Sequence, residues 1–514
     1  MKLNNSAALL LVGWGLSAAA QSFNLRIDPF VQAQQEGGWA VEVNADGNYL
    51  IIAGSPYQDS LFYSSVVTSI LVDQQGNVLA VDRVIDPTHA TYPGWSNSTA
   101  KRADGGFVTG GSNLTTDDLG NWIQHPVLYF LAQGGQPESF VDLGVQCPDC
   151  IGRQAKQALD GGYVICGETL VGGTQTDAFV IKTDAWGNEE WTRTYGGQWN
   201  DYFVSVDRSA GNGYFTGGQK RITSSNKEFW VQCLNDTGAV VWEKVWGGSF
   251  SESNANVTTA QNGDVLVAGG WAYSNFALVR RYLARLDPVD GSFIWQREYA
   301  AQTSDAALQV VKEVEPSMDL ITVGSMAVGA TYSGTLLRTT AAGDSLWMRT
   351  YQYTDSLVSN GSGILRDVEP TPDGGFIAVG SALQVGPYTQ DVWVVKVDSM
   401  GCLEPGCNTI MGMETQITNL RGALTVAPNP VAQGGMVQVL LDLPENFTPQ
   451  GALRITVVSS DGRLVHEQAV PPGTVPYSLS LGVGWGEGGM RSGLYHIHLS
   501  DATRWISGAK LIVE

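Results

Sequence analysis

Seven times along this chain, a short apolar strand follows a turn and ends on glycine. The turn is usually rich in Asp, Asn or Gly, as in residues 103–110 (ADGGFVTG) and 372–380 (PDGGFIAVG). Successive copies lie 50 to 57 residues apart, with closing glycines at Gly54, Gly110, Gly167, Gly217, Gly269, Gly324 and Gly380. A near-constant period of this length, filled with strands and turns, predicts a repeat architecture.

Each copy contains up to four predicted strands, and residues 202–245 show them most clearly. β-Branched and aromatic residues alternate there with Asx-Gly turns, which supply the positive φ that hairpins need. A second turn recurs after the third strand, and a tryptophan follows it at Trp191, Trp242, Trp295 and Trp347. A large ring at one fixed place in each sheet predicts packing between neighbouring sheets, with ligand stacking as the alternative.

Four-stranded sheets at this period predict the blades of a β-propeller. The seventh copy has only three strands before Gly401, whereas residues 23–27 (FNLRI) form an orphan strand ahead of the first copy. Pairing the two would remove two exposed sheet edges at once. We therefore predict an all-β fold: a seven-bladed β-propeller over residues 21–407, whose N-terminal strand completes the last blade.

The N-terminus has the pattern of a secretory signal peptide over residues 1–20. Lys2 precedes an apolar stretch at 7–16, and small residues at 17–20 form a cleavage site. No later segment reaches the roughly 18 apolar residues of a spanning helix, so we predict no transmembrane segment. A net charge of -21 without a basic stripe disfavours a nucleic-acid partner. We expect an exported protein, at the cell surface or extracellular.

Export places the six cysteines in an oxidising compartment. Cys402 and Cys407 bracket a Pro-Gly turn, and Cys147 and Cys150 bracket a second tight loop, so each pair is predicted to form a disulfide. The alternative, a zinc site, needs four ligands, and no histidine lies near either pair. The remaining two cysteines, Cys166 and Cys233, are predicted to be buried free thiols.

Residues 184–197 carry the pattern D-x-x-G-x-x-x-W followed by Y-G-G. This pattern resembles the propeller repeats common in exported proteins of Bacteroidota-type bacteria and, more distantly, the tryptophan-docking repeats of quinoprotein dehydrogenases. The resemblance covers residues 23 to about 400, and it implies a fold without implying an activity.

From residue 424 the period stops, and several short strands with turn residues between them predict a small immunoglobulin-like sandwich. Four segments occur in order: A-P-N-P at 427–430, S-D-G-R at 460–463, S-G-L-Y at 492–495 and K-L-I-V at 510–513. This order resembles the type A C-terminal sorting domain of the type IX secretion system, with motif residues Pro428, Asn429, Pro430, Asp461, Gly462, Arg463, Gly493, Tyr495 and Lys510. The resemblance implies that the secretion machinery recognises residues 424–514, with 408–423 as a linker. The alternative is a generic immunoglobulin-like binding domain.

Catalytic signatures are missing from the sequence. Three of the five histidines lie after residue 424, and there is no H-E-x-x-H, G-x-S-x-G or P-loop pattern. Most carboxylates sit in the repeated turns, where backbone hydrogen bonds explain them, and no stretch matches a dedicated calcium loop. We therefore predict no catalytic residue, no cofactor and no metal site.

A basic residue also recurs near the end of the third strand, at Lys182, Arg285, Arg338 and Lys396, with Cys233 in the same register. Equivalent positions in different blades can face one shared surface, where four cations would attract an acidic ligand. The alternative is that these residues are solvated and balance nearby aspartates.

The leading functional prediction is a binding protein that holds a protein or glycan through loops on one face. The aromatic residues Tyr92, Trp95 and Trp122, from nonrepeating loops, are its candidate ligand contacts. The alternative is a hydrolase or lyase acting on polysaccharide, with acids from loops 86–97 or 115–124. A quinoprotein dehydrogenase would need a cofactor pocket with metal ligands, which the sequence does not supply.

Overall fold

The computed structural model describes residues 22–28, 36–58, 63–86, 88–117, 119–171, 175–274, 278–299, 307–328, 331–354, 361–383, 390–404, 407, 423–443, 449, 451–459, 464–471, 476–483, 490–501 and 505–514. The predicted signal peptide and nearly all of the predicted linker lie outside these ranges. No helix in the described ranges is long and apolar enough to span a bilayer. The helical structure they contain is one 3-10 turn, Ala210–Asn212.

The described part of residues 22–397 forms seven antiparallel sheets, numbered here in chain order. Strand β1 spans Phe23–Ile27, and the first sheet contains β2 (Gly37–Val43), β3 (Tyr49–Gln58), β4 (Tyr63–Val72) and β5 (Val78–Val84). The second contains β6 (Ala90–Pro93), β7 (Thr99–Lys101), β8 (Phe107–Thr116), β9 (Trp122–Leu131) and β10 (Pro137–Asp142). The third contains β11 (Cys150–Gln157), β12 (Tyr163–Val171), β13 (Gln175–Thr183) and β14 (Glu189–Tyr195).

The remaining four sheets repeat the same arrangement. The fourth contains β15 (Tyr202–Arg208), β16 (Tyr214–Arg221), β17 (Lys227–Leu234) and β18 (Val240–Trp246). The fifth contains β19 (Asn256–Thr259), β20 (Val265–Ser274), β21 (Leu278–Leu286) and β22 (Phe293–Tyr299). The sixth contains β23 (Leu308–Val314), β24 (Asp319–Val328), β25 (Thr331–Thr339) and β26 (Ser345–Tyr351). The seventh contains β27 (Gly363–Pro370), β28 (Phe376–Leu383) and β29 (Gln390–Val397).

The N-terminal strand completes the seventh sheet. Strand β1 pairs antiparallel with β29, with Phe23 opposite Lys396 and Ile27 opposite Val392. This is the pairing that the missing fourth strand of the last repeat predicted. Without it, the N–H and C=O groups along one side of β29 would form an open sheet edge.

Each sheet packs on the next, and the seventh packs on the first through contacts of β2 with β27 and β28. The joint between the seventh and first sheets has its own hydrophobic cluster, in which Val41 and Ile51 meet Ile377 and Val379. The contacts therefore form a closed cycle, called here the ring of sheets.

Side chains of the innermost strands join neighbouring sheets at equivalent positions. The backbone N–H of Val41 donates to Asp367 (2.9 Å), that of Val206 to Gln154 (2.7 Å) and that of Val257 to Ser205 (2.8 Å). In each case the acceptor lies on the first strand of the preceding sheet. A buried N–H is costly without a partner, so these acceptors fix the spacing of adjacent first strands.

The second sheet departs from the predicted four strands. Its first strand is split into β6 and β7, and Asn97 between them has a positive φ of 58°. Gly94 directly follows β6 and lies against the third sheet. A Cβ on Gly94 would lie 1.8 Å from the carbonyl oxygen of Arg153. The extra residues at 90–98 displace the strand, and only glycine permits this close approach.

The recurring tryptophans dock on the neighbouring sheet. Each of the four donates its indole N–H to a backbone carbonyl in the turn after the third strand of the next sheet. The pairs are Trp191 with Asp236, Trp242 with Pro288, Trp295 with Ala341 and Trp347 with Ser399. A Cβ on Gly238 would lie 2.8 Å from the Trp191 ring, so the repeated turn glycine makes room for the indole. Packing between sheets is therefore the role of these residues.

Of the two interpretations of the recurring basic residues, the balance with nearby aspartates is confirmed, whereas the shared cationic surface and the solvated position are not. Lys182, Arg285 and Lys396 are buried, Arg338 is largely so, and none of them lines a shared surface. Each pairs with an acid at the first turn of its own sheet: Lys182 with Asp160 at 2.8 Å, Arg285 with Asp264 at 2.6 Å, Arg338 with Asp319 at 2.8 Å and Lys396 with Asp373 at 2.8 Å. Desolvation makes a buried cation costly without such a partner. The two recurring residues are thus halves of one ion pair.

The C-terminal segment forms two small antiparallel sheets around one core. Its strands are β30 (Leu424–Ala427), β31 (Met436–Leu441), β32 (Arg454–Ser459), β33 (Leu464–Ala469), β34 (Tyr477–Gly482), β35 (Gly493–Ser500) and β36 (Trp505–Val513). One sheet has the order β30-β31-β34 and the other β33-β32-β35-β36. Val437 and Val439 from the first meet Ile455, Ile497 and Leu511 from the second in a single hydrophobic cluster.

The structure places a disulfide between Cys147 and Cys150, and another between Cys402 and Cys407. Cys166 and Cys233 are buried free thiols, as predicted. Burial raises the pKa of Cys166 to about 12, so this thiol stays protonated and unreactive at neutral pH.

Candidate functional site

The strand order gives the ring of sheets two different ends. In each antiparallel sheet the connections from first to second and from third to fourth strand lie at one end, called here the turn end. The connection from second to third strand, and the passage to the next sheet, lie at the opposite, crossover end. The Asp-Gly turns occupy the turn end. The three predicted ligand residues lie toward the crossover end: Tyr92 in β6, Trp95 between β6 and β7, and Trp122 as the first residue of β9.

A β-bulge recurs near the crossover end of the innermost strands. The pairing register skips Trp39, Arg153, Val204, Gln309 and Arg366 in the first, third, fourth, sixth and seventh sheets. A bulge leaves its extra residue unpaired and re-aims the side chain. This repeated irregularity therefore presents a set of nonidentical side chains around one end of the ring.

Two of these bulge residues are arginines stacked on tryptophans. The guanidinium of Arg153 lies 3.7 Å from the centroid of a Trp95 ring and 5.7 Å from the ring of Tyr202. Arg153 is 8% exposed and also donates to Glu168, whereas Trp95 remains partly exposed. The backbone N–H of Trp95 donates to the Arg153 carbonyl at 2.9 Å, which fixes the strand that carries the indole.

The second pair repeats this arrangement at the joint between the seventh and first sheets. Arg366 lies 4.2 Å from a Trp39 ring centroid and donates to Ser381 Oγ at 2.5 Å. Burial lowers the pKa of Arg366 to about 10, so the side chain is still a cation at neutral pH. Stacking on an indole compensates part of the desolvation of each guanidinium.

The other two predicted residues lie farther out on the second sheet. Tyr92 is in β6 opposite Ser112, and Trp122 begins β9 opposite Thr116. Trp122 is 72% exposed. The structure thus brings Trp95 together with Arg153 and Tyr202, and places Tyr92 and Trp122 on the same sheet without a ring contact to Trp95 among the described residues.

Two buried acids at the crossover end hold the backbone. Glu252 accepts hydrogen bonds from the N–H groups of Gly248 (2.7 Å) and Ala272 (2.6 Å), and Asp201 accepts one from Arg221 (2.7 Å). Burial raises the pKa of Glu252 to about 7. Because both oxygens of Glu252 receive backbone donors, its position favours a structural role over general acid catalysis.

A network of charged side chains joins the innermost strands around the centre of the ring, closer to the turn end than the bulges are. Glu42, Lys156, Asp207, Lys312 and Glu369 occupy the same register position on five of the innermost strands. Lys312 bonds Glu369 at 2.5 Å and reaches Asn97 of the second sheet at 2.9 Å. Lys156 shares that Asn97 oxygen at 3.3 Å. Burial, then repulsion from Glu369, raises the pKa of Glu42 to about 7.

Neither this network nor the set of bulge residues was predicted from the sequence. For the network a signal existed: a charged residue recurs at one position of otherwise apolar first strands. For the bulges no signal was available, because a skipped register is visible only once two strands are paired.

The predicted sorting residues are partly brought together. Asn429 donates its side-chain N–H to the carbonyl of Lys510 (2.7 Å) and accepts from the N–H of Ile512 (2.9 Å), so the segment of Pro428 and Pro430 lies beside β36. Gly493 begins β35, and the Tyr495 hydroxyl donates to the Arg491 carbonyl at 2.8 Å. Asp461, Gly462 and Arg463 lie outside the described residues.

Comparison with known proteins identifies no family. No model of a known protein family matches the sequence, and no curated protein matches it. Among solved structures, a protein of unknown function from Dyadobacter fermentans has a TM-score of 0.42 at 10% identity, covering 73% of this chain and 98% of its own. An α-L-arabinanase from Penicillium chrysogenum has a TM-score of 0.40 at 11% identity, covering 74% of this chain and 99% of its own. A mutant of NanB sialidase from Streptococcus pneumoniae has a TM-score of 0.41 at 8% identity, covering 74% of this chain and 70% of its own. Likenesses at this level assign no activity to the chain.

Proposed function

We propose that residues 21–407 form a seven-bladed β-propeller and that its crossover end binds an extracellular glycan. The closed cycle of seven sheets and the β1–β29 pairing support the first part. Residues 424–514 are then a separate immunoglobulin-like sorting domain, joined through a linker at 408–423.

The observation that carries the binding proposal is the stack of Arg153 on Trp95. A partly exposed indole, backed by a fixed cation, offers a flat apolar surface for the C–H face of a sugar ring. The Arg153–Glu168 pair beside it supplies donors and acceptors for hydroxyl or carboxyl groups. Few polar groups around an aromatic platform are typical of a binding site for small polar rings.

Binding is favoured over hydrolysis by the state of the acids. Glu168 is held by Arg153, and both oxygens of Glu252 accept backbone N–H groups, so neither carboxylate is free to turn toward a substrate. A polysaccharide hydrolase or lyase remains the first alternative, and binding of a protein through the same face is the second.

The test is a glycan array probed with the full chain and with Trp95→Ala. We expect the variant to lose about tenfold in affinity for any bound glycan, corresponding to about 1.4 kcal/mol. Trp186→Ala is the matched control, because Trp186 is an exposed indole in a turn at the opposite end. An equal loss in both variants would contradict the proposed site. Release of sugar from the array by the wild-type protein would show an enzyme, and no binding to any glycan on the array would reject a glycan as the ligand.

We also propose that the protein is exported through its N-terminal signal peptide and crosses the outer membrane by the type IX secretion system. The contacts of Asn429 with Lys510 and Ile512 support this assignment, because they join two motif segments that are far apart in the sequence. The mature protein is then attached to the cell surface or released.

A further inference from the structure

Three carboxylates meet where the two ends of the ring of sheets are joined. Asp28 directly follows β1, Glu36 directly precedes β2, and Asp391 lies in β29. One oxygen atom from each lies within 4.8 Å of one from each of the others. The cluster therefore links the closing strand, the strand it pairs with and the first strand of the next sheet.

Glu36 is the unusual member of this cluster. It is 1% exposed, and neither of its carboxylate oxygens has a hydrogen-bond partner among the described residues. A buried carboxylate without a partner is strongly destabilising, so such a group calls for an explanation.

The repeat provides an internal comparison for Glu36. The backbone N–H of Glu36 donates to Gln390, that of Asp201 to Thr176 and that of Glu252 to Lys227, in each case to the third strand of the preceding sheet. These three acids are thus equivalent in the repeat. The side chains of Asp201 and Glu252 accept backbone N–H groups, whereas the side chain of Glu36 faces two other carboxylates.

Nearby cations balance part of the charge. Arg26 bonds Asp391 at 2.8 Å, and Arg83 acts on Glu36 through its positive charge. Three carboxylates beside two guanidiniums leave one negative charge unbalanced, which a cation that prefers oxygen ligands would neutralise.

We propose that Asp28, Glu36 and Asp391 form a calcium site that fastens the closure of the ring. Ca²⁺ binds six to eight oxygen ligands at about 2.3–2.6 Å, so oxygens on opposite sides of one ion lie up to about 5 Å apart. The observed separations fit within that limit, and water would supply the remaining ligands. Mg²⁺ fits less well, because it demands a near-ideal octahedron at about 2.0–2.1 Å. Soft metals such as Zn²⁺ prefer nitrogen or sulfur ligands, which this cluster lacks.

The test measures thermal unfolding of the full chain after chelation, with CaCl₂ or MgCl₂ added back, and calcium binding by isothermal titration calorimetry. A ligand that binds only the folded state raises the unfolding temperature by mass action. We expect Ca²⁺ to raise the midpoint by several degrees, Mg²⁺ to raise it less, and Glu36→Gln to abolish both the shift and the calorimetric signal.

Glu189→Gln is the matched control, because Glu189 is an exposed carboxylate on β14, away from the joint. It should retain the full response to Ca²⁺. If Glu36→Gln does not fold, Asp28→Asn gives the same readout. A Ca²⁺ response that persists in the folded variant would overturn the site, as would a wild-type protein that neither binds nor responds to Ca²⁺. A response to Mg²⁺ alone would overturn the choice of metal.

Discussion

At the scale of single residues, the main finding is that two repeated features of the sequence are one interaction. The acid of the first turn and the base of the third strand form an ion pair in the third, fifth, sixth and seventh sheets. The fourth sheet lacks both partners, because its first turn, residues 209–213, has no acid and Cys233 replaces the cation. The first and second sheets keep an exposed turn acid, Asp46 and Asp104, with Leu71 and Phe130 at the register of the cation. The acid thus occurs without the cation, whereas in these sheets the buried cation always has its acid.

This interaction predicts the effect of Lys396→Met. Lys396 is 0% exposed and pairs with Asp373 at 2.8 Å. Although burial alone would raise the pKa of Asp373, the hydrogen bonds from Lys396 and Thr371 outweigh it and hold that pKa below its usual value. We expect the variant to lower the free energy of unfolding by about 2–3 kcal/mol at neutral pH, measured by urea denaturation.

The pH dependence gives a second check on the same variant. Because the folded-state pKa of Asp373 is lowered, the stabilisation is present above the unfolded pKa and is lost as pH falls through the folded value. The wild type and the variant should therefore converge in acid. Arg280→Met, which breaks the exposed Arg280–Glu298 pair, is the control and should cost less than about 1 kcal/mol. Similar losses in the two variants would contradict the role given to burial.

At the scale of elements, β1 determines whether the ring of sheets has an open edge. It contributes Ile27 to the hydrophobic cluster between the seventh and first sheets, and Asn24 accepts the indole N–H of Trp393 at 2.6 Å. Since β1 and β29 lie at opposite ends of the seven-sheet segment, the ring closes only after all seven repeats have been synthesised. Pairing two strands that are this far apart in sequence costs loop-closure entropy, which the hydrogen bonds and packing of β1 must offset.

Deleting residues 22–27 should lower the melting temperature and cause concentration-dependent association, because the edge of β29 becomes available to other chains. Size-exclusion chromatography and calorimetry measure the two effects. A synthetic peptide of residues 22–28 should restore both by adding back the strand, whereas a scrambled peptide should not. A deleted protein that stays monomeric and melts like the wild type would show that closure does not need β1.

At the scale of the whole molecule, the described residues form two parts: a ring of seven sheets, and a C-terminal pair of sheets with its own core. The tryptophan contacts join the third to seventh sheets in succession, so each of these sheets depends on its neighbours. The C-terminal pair has a hydrophobic cluster of its own, which suits the proposal that this segment is recognised as a unit.

The proposed delivery route predicts the fate of a shortened protein. In a bacterium with a type IX secretion system, deletion of residues 424–514 should leave the ring of sheets in the periplasm, detected by cell fractionation and surface proteolysis. Fusion of residues 424–514 to a periplasmic reporter is the complementary control and should bring the reporter to the surface. Normal surface delivery of the shortened protein would reject the assignment.

The sequence by itself determined the features that depend on local spacing. The period of the glycine-ended strands predicted the sheets, and the missing last strand predicted the pairing of residues 23–27. Close spacing indicated both cysteine pairs, and the recurrence of tryptophan indicated packing between sheets. Each of these signals lies within one repeat or at its boundary, where the spacing of strands and turns is fixed by backbone geometry.

Only the tertiary structure decided how residues from different repeats combine. The ion pairs required knowledge of which strand faces which turn, and the Arg153–Trp95 stack required a bulge that no residue pattern marks. The carboxylates Asp28, Glu36 and Asp391 lie in three segments that no contiguous sequence pattern joins, so only the folded chain brings them together. A repeat is encoded locally, whereas the joint between the first and seventh sheets and the proposed binding face exist only after the ring has closed.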